Sequence, residues 1–185
     1  IPEDVEWKKY TGWHYADETI MSLTDEITTD ITLHYAGEEI KFVAKANSGA
    51  VIDNEDDFFE GFVYGTTVEA LLNSLENNSE LIVVKDKDGN IVEKSDVIAT
   101  GMTLELISKR DASIKKDTVT VVVKGDVNGD GLVNDDDFNK SIDMCLKNTS
   151  YSETEKAYFD ANDVDGDGVL DGLDLFYISN MRYGN

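Results

Sequence analysis

Two twelve-residue stretches share one pattern of oxygen-bearing side chains, DVNGDGLVNDDD at 126–137 and DVDGDGVLDGLD at 163–174. Positions 1, 3, 5, 9 and 12 carry Asp126, Asn128, Asp130, Asn134 and Asp137 in the first, and Asp163, Asp165, Asp167, Asp171 and Asp174 in the second. Position 6 is glycine in both, Gly131 and Gly168, where the chain must turn sharply. Position 7, Leu132 and Val169, has only a backbone carbonyl to offer. This spacing suits a hard cation that takes about six to eight oxygens at about 2.3 to 2.6 Å, and each stretch reads as a calcium loop, for two Ca2+ in all.

The second loop begins 37 residues after the first, at 163 against 126, and each runs into an apolar-periodic segment, 138–146 and 175–181. That is an internal repeat. One such stretch is hard to tell from an ordinary turn rich in Asp, Asn and Gly, but two in register, both entering helices, point to metal. Residues 86–90 begin in a similar way, yet position 6 there would be Ile91, which is costly in a left-handed backbone, so a hairpin turn is expected instead.

The two loops resemble dockerin repeats of type I. As in those repeats, position 12 is Asp instead of a longer bidentate Glu, and no amphipathic helix enters the first loop, which follows the strand-like 119–124. The resemblance covers about the last sixty residues. It implies an all-α calcium-folded module, residues 125–185, that docks onto a cohesin domain of a scaffoldin or cell-surface anchoring protein, as in cellulosome-like bacterial assemblies for polysaccharide degradation. In that family, partner recognition is associated with loop positions 10 and 11, here Asp135 and Asp136 in one repeat and Gly172 and Leu173 in the other. The pairs do not match, which implies a single binding orientation with Leu173, Phe176 or Tyr177 as apolar anchors. Further along the helices, Ile142 and Asp143 answer to Ser179 and Asn180, where basic residues are frequent in the family, so cohesin type is left open.

Bulk numbers narrow the alternatives. With 185 residues and 41% hydrophobic content, the chain can pack two small cores. Its formal net charge of −23, from 39 acidic against 16 basic residues, argues against nucleic acid and anionic membrane surfaces as partners. A lone Cys145 forms no intramolecular disulfide and makes no cysteine zinc site. Loops of this kind need calcium well above usual cytosolic levels, so a secreted or cell-surface location is expected. The start at Ile1-Pro2 shows no signal-peptide pattern and reads as a fragment of a longer secreted polypeptide.

Residues 1–124 read as a β-rich α+β unit, sandwich-like or a sheet with one helix. Trp7, Tyr10, Trp13 and Tyr15 cluster near the start, as a sugar-stacking platform or, the reading favoured here, as core. His14 and His34 are isolated and are given no metal or catalytic role. Alternation over 31–35 and 40–45, around 36–39, predicts a hairpin, and the acidic run at 53–57 a solvated loop. Residues 58–64 are strand-like. Thr66 and Glu69 form a capping box for a helix whose apolar face is Val68, Leu71, Leu72 and Leu75, ended by Asn77 and Asn78. Strands are then expected at 81–85, 91–92, 103–108 and 119–124, with turns at Gly89 and Gly101. The segment 65–103 resembles the β-rich X modules that precede some dockerins. Nothing in it has the pattern of a catalytic centre, so no enzyme activity is expected.

At the join, 119–126 carries the last strand almost directly into the first calcium ligand, with Gly125 as the one obvious flexible residue, so rigid coupling is expected. Phe138, Ile142, Cys145 and Leu146 should form a buried stripe on the helix after the first loop, and Leu175, Ile178 and Met181 on the helix after the second. A capping box at Ser152 and Glu155 starts a middle helix reaching about Ala161. The reading is a non-catalytic, calcium-dependent assembly module that binds cohesin, with the X-like unit buttressing it. Two alternatives stay open at this point, a carbohydrate-binding N-terminal unit anchored through the loops, and a calcium buffer or sensor without a protein partner.

Overall fold

A computed structural model describes residues 8–14, 34–108, 112–147 and 156–183. Strands β1 (Lys8–His14) and β2 (His34–Glu39) pair antiparallel as a small sheet of their own. The main sheet has five strands in the order β3-β4-β7-β6-β5: β3 (Val51–Asp53), β4 (Phe58–Phe62), β5 (Ile82–Lys85), β6 (Thr103–Ile107) and β7 (Lys115–Val123). It is mixed, because β4 runs parallel to β7 while the other neighbours are antiparallel. Helix α1 (Val68–Asn73) lies between β4 and β5 in sequence, and α2 (Asp135–Lys147), α3 (Lys156–Asn162) and α4 (Gly172–Met181) follow the sheet.

The central strand explains how the layers form. Successive side chains of a strand point to opposite faces. Val119, Val121 and Val123 therefore enter one core with Phe59, Val68, Leu71, Leu75, Ile98 and Leu104, whereas Val122 enters another with Phe58 and the small residues Ala157 and Ala161 of α3. Phe58 and Phe59 split in the same way across β4. A third, smaller cluster of Val127, Val133 and Ile178 joins the two loops, with Phe138, Met144, Val164 and Met181 packed against it.

The expected separate all-α C-terminal dockerin is corrected by this packing. The chain is a small α+β protein whose helices fall mostly in its C-terminal half, and α3 covers a face of the mixed sheet. A valine-rich strand buried on both faces needs apolar cover on each, and the C-terminal segment supplies one of those covers.

Three local expectations also change. Residues 36–39 are not a turn but lie within β2, whose register sets Glu39 and Glu38 opposite Lys8 and Lys9; 40–45 form only one isolated bridge, Ala44 to Leu75. A single glycine, Gly37, does not stop a strand when another segment offers a ladder. The helix cap is Thr67, one residue later than expected, its hydroxyl accepting from the Ala70 N–H. The expected face holds, with Val68, Leu71, Leu72 and Leu75 all buried. Ile91 makes only an isolated bridge to Lys85, although the turn before it does form, with Gly89 at a φ of 84°. The Ser152 cap lies outside the described residues, and α3 is seen over Lys156–Asn162.

Candidate metal centres and the exposed helix face

Each loop folds around its own first and last carboxylates. In the first, Asp126 Oδ1 accepts from Gly129 and Asp130 N–H at 2.9 and 3.0 Å, and Oδ2 accepts from Gly131 at 3.2 Å. Asp137 accepts from Asn128 and Asn134 N–H at 3.0 and 2.9 Å. In the second, Asp163 accepts from Gly166, Asp167 and Gly168, and Asp174 accepts from Val164 and Asp171 at 2.8 and 2.9 Å. The schemes match position for position at the first carboxylate, and at the last carboxylate they share the bond from position 9; its other N–H comes from position 3 in the first loop, Asn128, and from position 2 in the second, Val164. Asp126, Asp137, Asp163 and Asp174 are all buried by this backbone cradle. The remaining side chains at ligand spacing point outward in part: Asp130, Asp165, Asp167 and Asp171 are exposed, and Asn128 and Asn134 are half-buried. Leu132 and Val169 turn their side chains to solvent, which leaves only backbone for a ligand.

Burial pushes the Asp126 and Asp137 carboxyls above the ordinary range, with neighbouring carboxylates adding to it. Asp165 is pushed up as well, by desolvation first and then by the charges of Asp167, Asp174 and Asp163. One oxygen each of Asp163, Asp165 and Asp174 lies within 4.8 Å of the others. Carboxylates gathered this closely, with no nitrogen or sulfur donor among them, fit an oxygen-seeking cation. In the first loop the counterpart of Asp165 is Asn128, whose amide donates to Asp130 Oδ2 at 2.9 Å.

Helix α4 starts at a capping box in which Asp171 and Asp174 satisfy each other's backbone donors. It buries Ile178 and presents Leu173, Phe176 and Tyr177 to solvent, the two rings edge to face at 5.9 Å. Gly172 is exposed at the first turn, and Ser179 and Asn180 are half-buried. On α2 the expected stripe of Phe138, Ile142, Cys145 and Leu146 is corrected. The fully buried residues are Asp137 and Ser141, the former held by its loop and the latter bonded to the buried Asn162, while Leu146 is 80% exposed. Cys145 is half-buried, and burial raises its thiol. Asp136 is exposed, Asp135 is paired with Arg182 at 2.7 Å, and Asp143 with Lys147 at 2.6 Å. Trp7 lies outside the described residues, and Trp13 stands opposite Tyr35 in the small sheet.

Four residues that sequence spacing does not reveal also shape the loops. Lys124 donates to the carbonyls of Asp160 and Asp163 at 2.8 and 2.7 Å, closing the end of α3 onto the start of the second loop. Thr100 N–H donates to Asp126 Oδ2 at 2.8 Å, Tyr158 lies against Gly101 and Gly129, and Arg182 spans α4 and α2. Only Lys124, one basic residue just ahead of an acidic loop, left any trace in the sequence. Gly125, expected to be flexible, is instead buried with a φ of 90°, its N–H bonded to Ala161, and a Cβ there would strike Met181.

Compared with known proteins, the chain matches no family model, no curated protein and no solved structure.

Proposed function

We propose that this protein is a non-catalytic, calcium-dependent assembly module that binds a cohesin-type protein partner, with the five-stranded sheet as its buttress. The observation that carries the reading is the position-for-position repetition of one hydrogen-bond scheme at the first carboxylate of two loops, each opening directly onto a helix. Asp126, Asn128, Asp130, Asn134 and Asp137 would hold one ion, with the Leu132 carbonyl; Asp163, Asp165, Asp167, Asp171 and Asp174 would hold the other, with the Val169 carbonyl. When bound, Ca2+ would offset the mutual repulsion of these carboxylates and so fix the helices that follow.

The residues then define a surface for contact with another protein. Leu173, Phe176 and Tyr177 form an aromatic-rich apolar patch on α4, the composition of an interface anchor. The first repeat offers Asp136 and an already paired Asp135 at the matching positions, so the two repeats present different faces and one binding orientation is favoured. A calcium-rich compartment, secreted or at the cell surface, goes with this reading. The test is a pull-down with a panel of cohesin domains in calcium and in chelator, where capture is expected only with calcium. Gly172/Leu173→Ala should then abolish capture while Asp135/Asp136→Ala leaves it nearly intact; equal small losses would contradict the single orientation.

A further inference from the structure

The two loops share the internal hydrogen bonds at their first carboxylates but differ in what lies outside them. The first is seated on the sheet unit. Thr100 N–H donates to the same Asp126 oxygen that accepts from Gly131, although the two residues are 26 apart in sequence. Around Gly129 the fit is so close that a Cβ would fall 2.7 Å from the Thr100 carbonyl oxygen and 2.8 Å from the Tyr158 ring; one on Gly131 would stand 3.1 Å from the Ile98 carbonyl oxygen. Lys140, on the helix that leaves this loop, sits 4.8 Å above the same Tyr158 ring. Around Gly166 and Gly168, the equivalent glycines of the second loop, nothing comes within 4 Å. Their composition differs in the opposite sense. The second loop carries five carboxylates at the ligand positions and the first carries three, with Asn128 and Asn134 as the others.

We propose that the 97–101 turn and Tyr158 are positioning residues for the first calcium site alone, so that the two sites draw their affinity from different sources. This rests on the calcium reading above. The first loop is held near its binding shape from outside, which lowers the ordering cost of taking an ion, much as partners behind the ligands do at other metal sites. The second loop is held from outside at its first residue, where Lys124 donates to the Asp163 carbonyl, but nothing packs around its glycines, and its affinity comes chiefly from charge, which salt screens. Coupling of this kind is reciprocal, so an ion in the first loop tightens the 97–101 turn, and one in the second does not.

The experiment is a calcium titration by calorimetry on the whole chain carrying Asp165→Ala, which weakens the second site, and on a chain carrying Asp130→Ala, which weakens the first. Adding Tyr158→Ala should cut first-site affinity about tenfold, within the usual range for supporting residues, and leave the second site unchanged, with Tyr158→Phe restoring the first. Raising salt should weaken the second site more than the first. Independently of any change at Tyr158, hydrogen exchange of the Thr100 amide should slow when the first loop fills and be indifferent to the second. Equal losses at both sites, or Thr100 protection driven by the second loop, would overturn the coupling while leaving the calcium reading in place. No calcium uptake by either loop would overturn both.

Discussion

Arg182, at the end of α4, donates through Nη1 to Asp135 Oδ1 at 2.7 Å, at the start of α2, and its guanidinium carbon lies 4.1 Å from the centre of the Phe138 ring. One side chain thus clasps the end of the second repeat to the beginning of the first. Asp135 is 78% exposed, so the ion pair itself is worth little, whereas the guanidinium is largely buried between Phe138 and Tyr183. Arg182→Ala should cost about 1 kcal/mol through lost stacking, and Asp135→Asn should cost no more than about 0.5 kcal/mol. Urea denaturation of both variants checks the assignment; equal losses would mean that the ion pair, and not the stacking, closes the clasp.

Asp174 and Asp165 should separate a structural carboxylate from one that serves only the metal. Asp174 is buried and accepts two backbone N–H groups, so Asp174→Ala should lower stability by about 1 to 3 kcal/mol even in chelator. Asp165 is exposed, and Asp165→Ala should leave the melting temperature in chelator unchanged while reducing the rise produced by calcium. Thermal melts with and without chelator give both readings. With calcium at about 100 times its dissociation constant, each intact site adds roughly 2.7 kcal/mol.

The pH dependence should reverse with metal. Asp126, Asp137 and Asp160 are all raised, chiefly by burial, so the folded chain binds protons more readily than the unfolded one. In chelator, their effect is to make the fold more stable as pH falls from neutrality through those raised values, and this gain is lost as pH rises through them. Glu105 runs the other way. Burial works against its charge, but Lys115 and Lys85 outweigh it and hold the carboxyl low, so its contribution is lost as pH falls through that lowered value. In saturating calcium, protons compete for the ligand oxygens, and stability should decline from pH 7 to 5. Melting temperatures across that range with and without chelator test it; parallel slopes would contradict a shared set of carboxylates.

Both faces of β7 should report on one folding unit. Leu71→Ala, in the α1 core, should cost about 2 to 5 kcal/mol. Ala161→Leu, overpacking the Phe58 and Val122 seam, should cost about 1 to 3 kcal/mol. Because β7 carries both cores, each variant should shift a single cooperative transition, seen alike by probes of sheet and helix. Two separate transitions would mean that α3 does not depend on the sheet.

The sequence by itself determined the loops and the strand pattern, because both are local. Inside the loops, Asp126, Asp137, Asp163 and Asp174 find backbone partners within ten residues, and alternation over 119–123 already sorts Val122 from Val121 and Val123. The α1 face was legible for the same reason, its spacing being that of one helical turn. Only the tertiary structure decided what each outward face meets. The 26 residues between Thr100 and Asp126, and the 47 between Asp135 and Arg182, are bridged by the path of the sheet and not by any periodicity. The same holds for α3: Ala157 and Ala161 carry too little apolar surface to announce a core position in sequence, and their smallness matters only once Phe58 and Val122 stand opposite them. Local hydrogen-bonding and side-chain spacing are written residue by residue, whereas the covering of a two-sided sheet depends on which segment the chain brings back to it.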